Sequence, residues 1–166
     1  EAMPLSDGEF DVVLCQMGLQ FISDKRQALK EMRRVLRRGG RIALNLPGPA
    51  PAFFADFARA LARHIDPKAA GFVHVVFSLH DEDELRSLMR GAGFEEVKIA
   101  KARKALRLPP PEEFLWQYVH STPLAPMVGR ASDTQRAALT DDLAGRWAAK
   151  DGFTLQVDMT TVTAQA

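Results

Sequence analysis

The sequence predicts an α/β fold, and three observations within its first fifty residues support this. Short apolar runs at Phe10 to Cys15 and at 41–46 have the length and the aliphatic content typical of buried parallel strands. The stretch 23–40 between them places apolar residues at helical spacing. A strand, a helix and a strand in this order form a β-α-β unit with a right-handed crossover.

The first strand, Phe10 to Cys15, follows the turn signal "SDGE" and is expected to be buried on both faces. The helix after it has Ser23 or Asp24 as N-cap and Gly39 or Gly40 as its stop. The second strand, "RIALNL", ends at the breaker-rich "PGPAP". The helix is expected to bury five side chains: Ala28, Leu29, Met32, Val35 and Leu36.

The rest of the chain alternates helices and strands. We predict helices over 50–65, 81–94, 109–123 and 132–152, the last capped by Ser132 or Asp133, and we leave 72–79 undecided. The stretch 95–108 is rich in Lys and Arg, as suits an edge strand, and 153–166 alternates as a closing strand. The helix at 50–65 is expected to bury Phe54, Phe57, Ala58, Leu61 and Ile65.

Composition narrows the class of protein. A chain of 166 residues, 46% hydrophobic and 26% charged, can bury one sizeable core. A net charge of +1 gives no reason to expect nucleic acid or a membrane as partner, which favours a small-molecule substrate. One cysteine, no apolar run of about 20 residues and no signal peptide predict a cytoplasmic protein.

The segment "MPLSDGEFDVVLCQMGLQFISDKRQALKEMRRVLRRGGRIAL" resembles the middle of class I S-adenosylmethionine-dependent methyltransferases of the small-molecule type. The resemblance is strong over residues 1 to about 48. It implies a Rossmann-like methyltransferase fold in which the four strands correspond to strands four to seven of the family. The last strand, Phe153 to Thr163, would then run antiparallel between strands five and six.

Several of the family's cofactor-binding features are absent from this sequence. The only G-x-G, in "GAGFEE", ends a predicted helix at Gly91 and Gly93, so a helix C-cap explains it. The glycine-rich loop and the two acidic residues that hold the cofactor in the family do not occur, and at about 30 residues per β-α-β unit roughly 80 to 100 residues would precede this chain. We therefore expect 1–166 to be a single incomplete methyltransferase domain, with 109–150 as a possible helical insertion or lid.

The resemblance implies S-adenosyl-L-methionine as cofactor and a site at the carboxyl end of the first strand. There the backbone of Cys15 and Gln16 would face the methionine moiety, and residues through Gln20 and Phe21 would pack near the adenine. Ala2 and Met3 would reach the adenine edge by their backbone. The six expected cofactor-binding residues are Ala2, Met3, Cys15, Gln16, Gln20 and Phe21.

No catalytic residue and no metal site is identified. Cys15 lacks a Cys-His signature, so a buried or pocket-lining thiol is favoured over a nucleophile. The histidines lack the spacing of a zinc site, although His74 and His80 lie where a general base for the acceptor could be.

Two other features allow a structural and a functional interpretation. The arginines from Arg33 to Arg41 fit the solvated face and last turn of a helix better than a phosphate site. Trp116 and Tyr118 could cap a substrate pocket, but core packing is the simpler interpretation. The sequence "CQMG" lacks the N/D-P-P-Y/F of enzymes that methylate bases, which again favours small-molecule acceptors.

Two functions are therefore open. The first is methyl transfer from S-adenosylmethionine to a small molecule by a complete protein of which this chain is the carboxyl-terminal part, the chain alone being inactive. The second is a non-catalytic interaction module of methyltransferase ancestry, forming a homodimer through the exposed edge of Phe10 to Cys15.

Overall fold

The computed structural model describes residues 1–147 and 151–166. Its strands are β1 (Phe10–Gln16), β2 (Leu36–Pro47), β3 (Glu95–Leu108) and β4 (Phe153–Gln165). A 3-10 turn, Leu19–Phe21, follows β1. The helices are α1 (Lys25–Arg34), α2 (Ala52–His64), α3 (Pro67–Val76), α4 (Glu82–Gly91), α5 (Pro111–His120), α6 (Ala125–Val128) and α7 (Asp133–Arg146).

The four strands form one sheet in the order β1-β2-β4-β3. β1 and β2 are parallel, and β4 runs antiparallel to β2. The predicted α/β fold is confirmed, including the antiparallel last strand between the second and third strands of the chain. β3 lies at an edge, as its Lys and Arg content predicted.

The chain forms two compact units, of which the first comprises 1–49, 76–103 and 158–166 and the second 50–75 and 104–157. Within the described residues, the predicted helical insertion at 109–150 falls in the second unit. The helix predicted over 132–152 ends at Arg146, and residues 148–150 of that prediction lie outside the described residues.

The core of the first unit lies on one face of the sheet. Alternate residues of β2, Ile42, Leu44 and Leu46, are fully buried there together with Leu29 of α1 and Met89 of α4. Because side chains alternate across a strand, the residues between them face the other side. α1 and α4 therefore cover only one of the two faces within this unit.

This one-sided core corrects the expectation that Phe10 to Cys15 is buried on both faces. Val12 is 47% exposed and Leu14 is 74% exposed, whereas Val13 and Cys15 pack against the core. Val12 and Leu14 lie on the face opposite the core, and α1 and α4 do not cover that face.

The glycine pair does not end α1. The helix begins after Asp24, whose side chain accepts the Gln27 N–H, and its last residue is Arg34. The register then changes from Phe10 opposite Leu36 to Val12 opposite Arg41, so β1 advances by two residues while β2 advances by five. Gly39, at φ +77°, and Gly40 lie in this bulge.

The predicted helix stop at Gly39 or Gly40 is therefore wrong. A left-handed glycine serves a bulge as well as a helix end, and sequence alone does not separate the two. The same shift places Arg37, Arg38 and Arg41 on β2, so they do not decorate the last turn of α1.

Aromatic rings fill the core of the second unit. Phe53 of α2 lies 5.5 Å from Phe114 of α5 and 5.6 Å from Trp147, measured between ring centroids. Tyr118 lies 5.1 Å from Phe54, and burial raises its pKa to about 12. The predicted burial of Phe54, Phe57, Ala58 and Leu61 is confirmed, and the undecided stretch 72–79 contains the end of α3.

Several predicted helix ends are confirmed. Ser132 and Gln135 form a reciprocal capping box at the start of α7. Gly93, at φ +90°, follows the end of α4, as expected for the G-x-G that was interpreted as a C-cap. In the described part of the chain, none of the helices has both the length and the apolar character needed to span a membrane.

Replacing Gly40 with Ala should destabilise the chain. A Cβ there would lie 2.8 Å from the Arg37 carbonyl oxygen, and the backbone would have to move to relieve this contact. We expect a loss of about 1–3 kcal/mol in the free energy of unfolding, measured by urea denaturation. Gly145→Ala is the matched control, because its Cβ would meet nothing within 4 Å in a helix and should add about 0.5–1 kcal/mol. Equal stability of Gly40→Ala and the native chain would contradict this.

Candidate functional site

The carboxyl ends of β1 and β2 lie at the same edge of the sheet because the two strands are parallel. Gln16, the last residue of β1, lies opposite Asn45. The Met17 N–H then donates to the Asn45 carbonyl at 2.8 Å, which extends the pairing by one residue. Ligands of open α/β sheets bind outside this edge.

The two predicted site residues at the strand end face opposite sides. Cys15 is half-buried on the core side, with a free thiol. Gln16 is exposed and, by the alternation of the strand, faces the side that α1 and α4 leave uncovered. A ligand at this edge can therefore meet both side chains only if it lies across the strand end.

The chain reverses sharply after β1. Met17 has φ +48°, a conformation that side chains other than glycine rarely adopt. At Gly18 an added Cβ would lie 3.2 Å from the Cys15 sulfur, so glycine relieves crowding by that thiol. The 3-10 turn follows, with the Phe21 N–H donating to the Gly18 carbonyl at 3.1 Å. The polar, glycine-containing interruption of "FDVVLCQMGLQF" thus forms a tight, locally strained turn.

Gln20 lies within this turn and is only 3% exposed. Neither its Oε1 nor its Nε2 has a hydrogen-bond partner among the residues that the structure describes. Its neighbour Leu19 is fully buried in the core, whereas Phe21, the last of the predicted site residues here, is exposed.

The sequence did not predict a hydrogen-bonded polar pair on β2 and β4, formed by Asn45 and Thr161. Asn45 lies beside Gln16 and opposite Thr161, and its Nδ2 donates to the Thr161 hydroxyl at 3.3 Å. The only available signal was the single polar residue inside the apolar run "RIALNL". The pairing with Thr161 could not be predicted, since the two residues are 116 positions apart.

The predicted adenine-edge residues belong to an N-terminal strap, residues 1–7, that is fixed to α1. The Met3 N–H donates to Glu31 at 2.9 Å, and the Met3 carbonyl accepts from Arg34 at 3.1 Å. Arg34 also donates to both carboxylate oxygens of Glu31 and to the Leu5 carbonyl. Both backbone groups of Met3 are therefore already engaged, whereas Ala2 remains exposed.

These contacts shift two pKa values. Hydrogen bonds from Arg34 and from the Met3 backbone lower the pKa of Glu31 to about 2, and the carboxylate of Glu31 raises the pKa of Arg34. Glu1 adds to the strap, since its carboxylate accepts the Asp24 N–H at 2.7 Å. The start of the strap therefore lies beside Asp24, the N-cap of α1. Asp24 follows the last residue of the turn, Phe21, by three positions.

The four histidines have different surroundings. His80 Nδ1 lies 2.8 Å from the Phe77 carbonyl oxygen, so Nδ1 carries a proton and donates it to that carbonyl. His74 is exposed, His64 lies 3.1 Å from Asp142 and His120 lies beside Trp116. Within residues 1–147 and 151–166, no group of three or more His, Cys, Asp or Glu side chains could hold a metal ion.

Comparison with known proteins identifies residues 1–44 as matching the methyltransferase domain family. This match covers β1, the turn with Gln20, α1 and most of β2. It contains all six residues that the sequence predicted to bind the cofactor.

Curated relatives are similar over a longer stretch. The ubiquinone/menaquinone biosynthesis C-methyltransferase UbiE of Klebsiella pneumoniae is 33% identical, with 58% of this chain and 43% of the relative covered. UbiE of Haemophilus ducreyi is 36% identical, with 58% and 42% covered. The chain therefore spans less than half the length of these relatives.

Solved structures share the fold. A candidate methyltransferase from Bacillus halodurans superposes with a TM-score of 0.57 at 15% identity, with 98% of this chain and 67% of that chain covered. The YcgJ protein from Bacillus subtilis superposes with a TM-score of 0.54 at 14% identity, with 99% and 67% covered.

Replacing Gln20 with Met should stabilise the chain. A buried amide without partners costs about 1–3 kcal/mol, and methionine fills similar space without polar atoms. We expect the free energy of unfolding to rise by about 1 kcal/mol, measured by urea denaturation. Gln156→Met, at an exposed position on β4, should change it by less than about 0.5 kcal/mol. A loss of stability in Gln20→Met would mean that the amide has a partner.

The strap should loosen in acid. Because the folded-state pKa of Glu31 lies at about 2, below its ordinary 4.5, its contribution to stability is present above pH 4.5 and is lost as the pH falls towards 2. We expect the Met3 amide proton to lose protection from exchange over this range, measured by NMR. Glu31→Gln should show little such dependence, and an equal loss in both proteins would contradict the assignment.

Proposed function

We propose that this chain belongs to the class I S-adenosylmethionine-dependent methyltransferases and that the protein containing it transfers a methyl group from S-adenosyl-L-methionine to a small-molecule acceptor. The main support is the match of residues 1–44 to the methyltransferase domain family, combined with the tight polar turn that this segment forms at the carboxyl end of β1. We propose a cytoplasmic place of action, since the chain has one cysteine and no disulfide framework.

The proposed cofactor site comprises the end of β1, the turn after it and the N-terminal strap. The backbone of Cys15 and Gln16 would face the methionine moiety, and Gln20 and Phe21 would pack near the adenine. Of the strap residues, Ala2 is the better candidate for a backbone contact, because Glu31 and Arg34 already bind both backbone groups of Met3.

We propose carbon as the atom that is methylated, since the curated relatives are C-methyltransferases. An electron-rich carbon of the acceptor attacks the methyl group, the carbon–sulfur bond breaks, and the sulfonium becomes a neutral thioether. The acceptor then loses a proton. In such a displacement the protein contributes mainly alignment and exclusion of water, so no catalytic residue is assigned.

Titration with the cofactor tests this function. We expect the full-length product of the gene that encodes this chain to bind S-adenosylmethionine and to transfer its labelled methyl group. The chain of 166 residues should bind about 100-fold more weakly or not at all, because its sequence contains neither the glycine-rich loop nor the acidic residues that place a nucleotide. Calorimetry measures both affinities.

Two results would contradict the proposal. Tight binding by this chain alone would mean that a different set of residues forms the cofactor site. Absence of S-adenosylmethionine binding by the full-length product would contradict the methyltransferase function. The similarity of fold would then reflect common ancestry alone.

A second candidate function is an interaction module that forms a homodimer through β1. The observation that favours it is the exposure of Leu14 and Val12 on the terminal strand of the described sheet. Exposed apolar strands at a sheet edge pair readily with another chain.

The dimer has its own test. We expect the mass of the chain in light scattering to approach twice 18.4 kDa at high concentration. Leu14→Lys should return it to the monomer, because a charged side chain on an edge strand opposes pairing with another strand. Leu106→Lys on β3, another exposed strand position, is the matched control and should not change the mass. A native chain that is monomeric throughout would rule out this candidate.

A further inference from the structure

A cavity of about 460 Å³ lies between α5 and α7 in the second unit, and residues of α6 also line it. This volume falls within the range of about 300–1,000 Å³ that is usual for small-molecule sites. The residues that line the cavity include none of the six that the proposed cofactor site uses. The cavity is therefore a separate candidate site, which the proposed methyl transfer does not account for.

Trp116 forms an aromatic wall of this cavity. Its ring lies 6.0 Å from the ring of His120, which follows it by one turn of α5 and also lines the cavity. Tyr118, in contrast, lies 5.1 Å from Phe54 and belongs to the aromatic core of the second unit. The structure thus separates the two rings that the sequence considered together, and it places the half-buried Trp116 against the cavity.

The floor of the cavity is apolar. Val119 of α5 and Val128 of α6 line it, and each is only 1% exposed. Small residues occupy three further positions of the lining, Ala125, Gly129 and Ala137, and they leave space that larger side chains would fill. A flat apolar ligand can therefore cover buried aliphatic surface and stack on an aromatic ring in the same place.

Two polar side chains of α7, Arg136 and Thr140, line the cavity one helical turn apart. The Thr140 hydroxyl donates to the Arg136 carbonyl at 3.0 Å, so towards a ligand it can only accept. The Arg136 guanidinium donates to Asp133, whose side chain is 97% exposed. Such an exposed ion pair is weak, and a guanidinium has five N–H donors, so Arg136 keeps donors for a ligand oxygen.

We propose that this cavity binds a flat aromatic molecule that carries a carboxylate. Its ring stacks on Trp116 above Val119 and Val128, and its carboxylate accepts a charge-assisted hydrogen bond from Arg136. A ring N–H or a hydroxyl of the ligand donates to Thr140. An aromatic cation would be repelled by Arg136, and a small anion without a ring would leave the apolar floor uncovered. The proposal does not rest on the proposed methyl transfer.

Trp116 reports on this binding directly. The chain has two tryptophans, so its NMR spectrum after ¹⁵N labelling has two indole N–H signals, which Trp147→Phe assigns. The probe is unlabelled indole-3-acetate, and its matched neutral analogue is indole-3-acetamide. We expect a saturable shift of the Trp116 signal with a Kd of about 1 mM, as for an unoptimised ligand of about 13 heavy atoms. The amide should bind about tenfold more weakly. The Trp147 indole, which donates to Asp56 at 2.8 Å, should keep its signal in place.

Three variants test the assigned roles. Arg136→Met removes the donors and should weaken binding of indole-3-acetate about tenfold, to the level of the amide. Ala137→Leu puts a larger side chain into the cavity and should abolish the shift of the Trp116 signal. Thr134→Leu is its control, because Thr134 is exposed on the same helix and does not line the cavity. An unchanged Trp147 signal in each variant shows that the second unit remains folded.

The proposal is overturned if indole-3-acetate leaves the Trp116 signal in place, or if Ala137→Leu and Thr134→Leu bind it equally well. It is also overturned if the acid and its amide bind the native chain equally, or if Arg136→Met binds the acid as tightly as the native chain does. These outcomes leave the proposed methyl transfer intact, because S-adenosylmethionine takes no part in the measurement.

Discussion

Burial of one face of the sheet against α1 and α4 is the constraint on which the first unit depends. Ile42, Leu44 and Leu46 of β2 form the centre of this core, and full burial of a side chain of this kind contributes about 1.5–3 kcal/mol. Because α1 must lie against that face, it carries the chain back to the start of a parallel strand. The carboxyl ends of β1 and β2 consequently meet at one edge, where the turn with Gln20 lies.

The same constraint leaves the opposite face polar and partly exposed. Gln16, Asn45 and Thr161 lie side by side on it at the carboxyl end of the strands, next to the exposed Leu14 of β1. One face of β1 and β2 therefore supports the core, and the other face carries these polar side chains and the exposed Leu14. Both candidate functions draw on this division, the methyltransferase at the strand ends and the dimer along β1.

The N-terminal strap couples the predicted adenine-edge residues to α1 through one carboxylate and one guanidinium. Arg34 donates to Glu31 and to two strap carbonyls, and Glu31 accepts the Met3 N–H. Such charge-assisted hydrogen bonds are shorter and stronger than hydrogen bonds between neutral groups. Residues 21–34 therefore connect the two segments: the turn after β1 ends at Phe21, and the strap is hydrogen-bonded to Glu31 and Arg34 at the end of α1. Gln20 stands out because its amide, unlike the groups around it, has no partner among the described residues.

The sequence by itself determined the four strands and the longer helices α1, α2, α4, α5 and α7 in their order, but not the helices α3 and α6. Helical spacing predicted α1 and α2, "SDTQ" predicted the capped start of α7, and alternation with basic residues predicted β3 as an edge strand, since these signals arise between residues close in the chain. The family resemblance supplied the antiparallel position of β4. Tertiary structure decided the rest: the exposure of Leu14, the bulge at Gly39 and Gly40, the bond between Asn45 and Thr161, and the unpaired amide of Gln20. Each of these depends on which segment, distant in the sequence, packs against the residue. Burial and hydrogen-bond partners are set by the tertiary structure and cannot be read from neighbouring residues in the sequence.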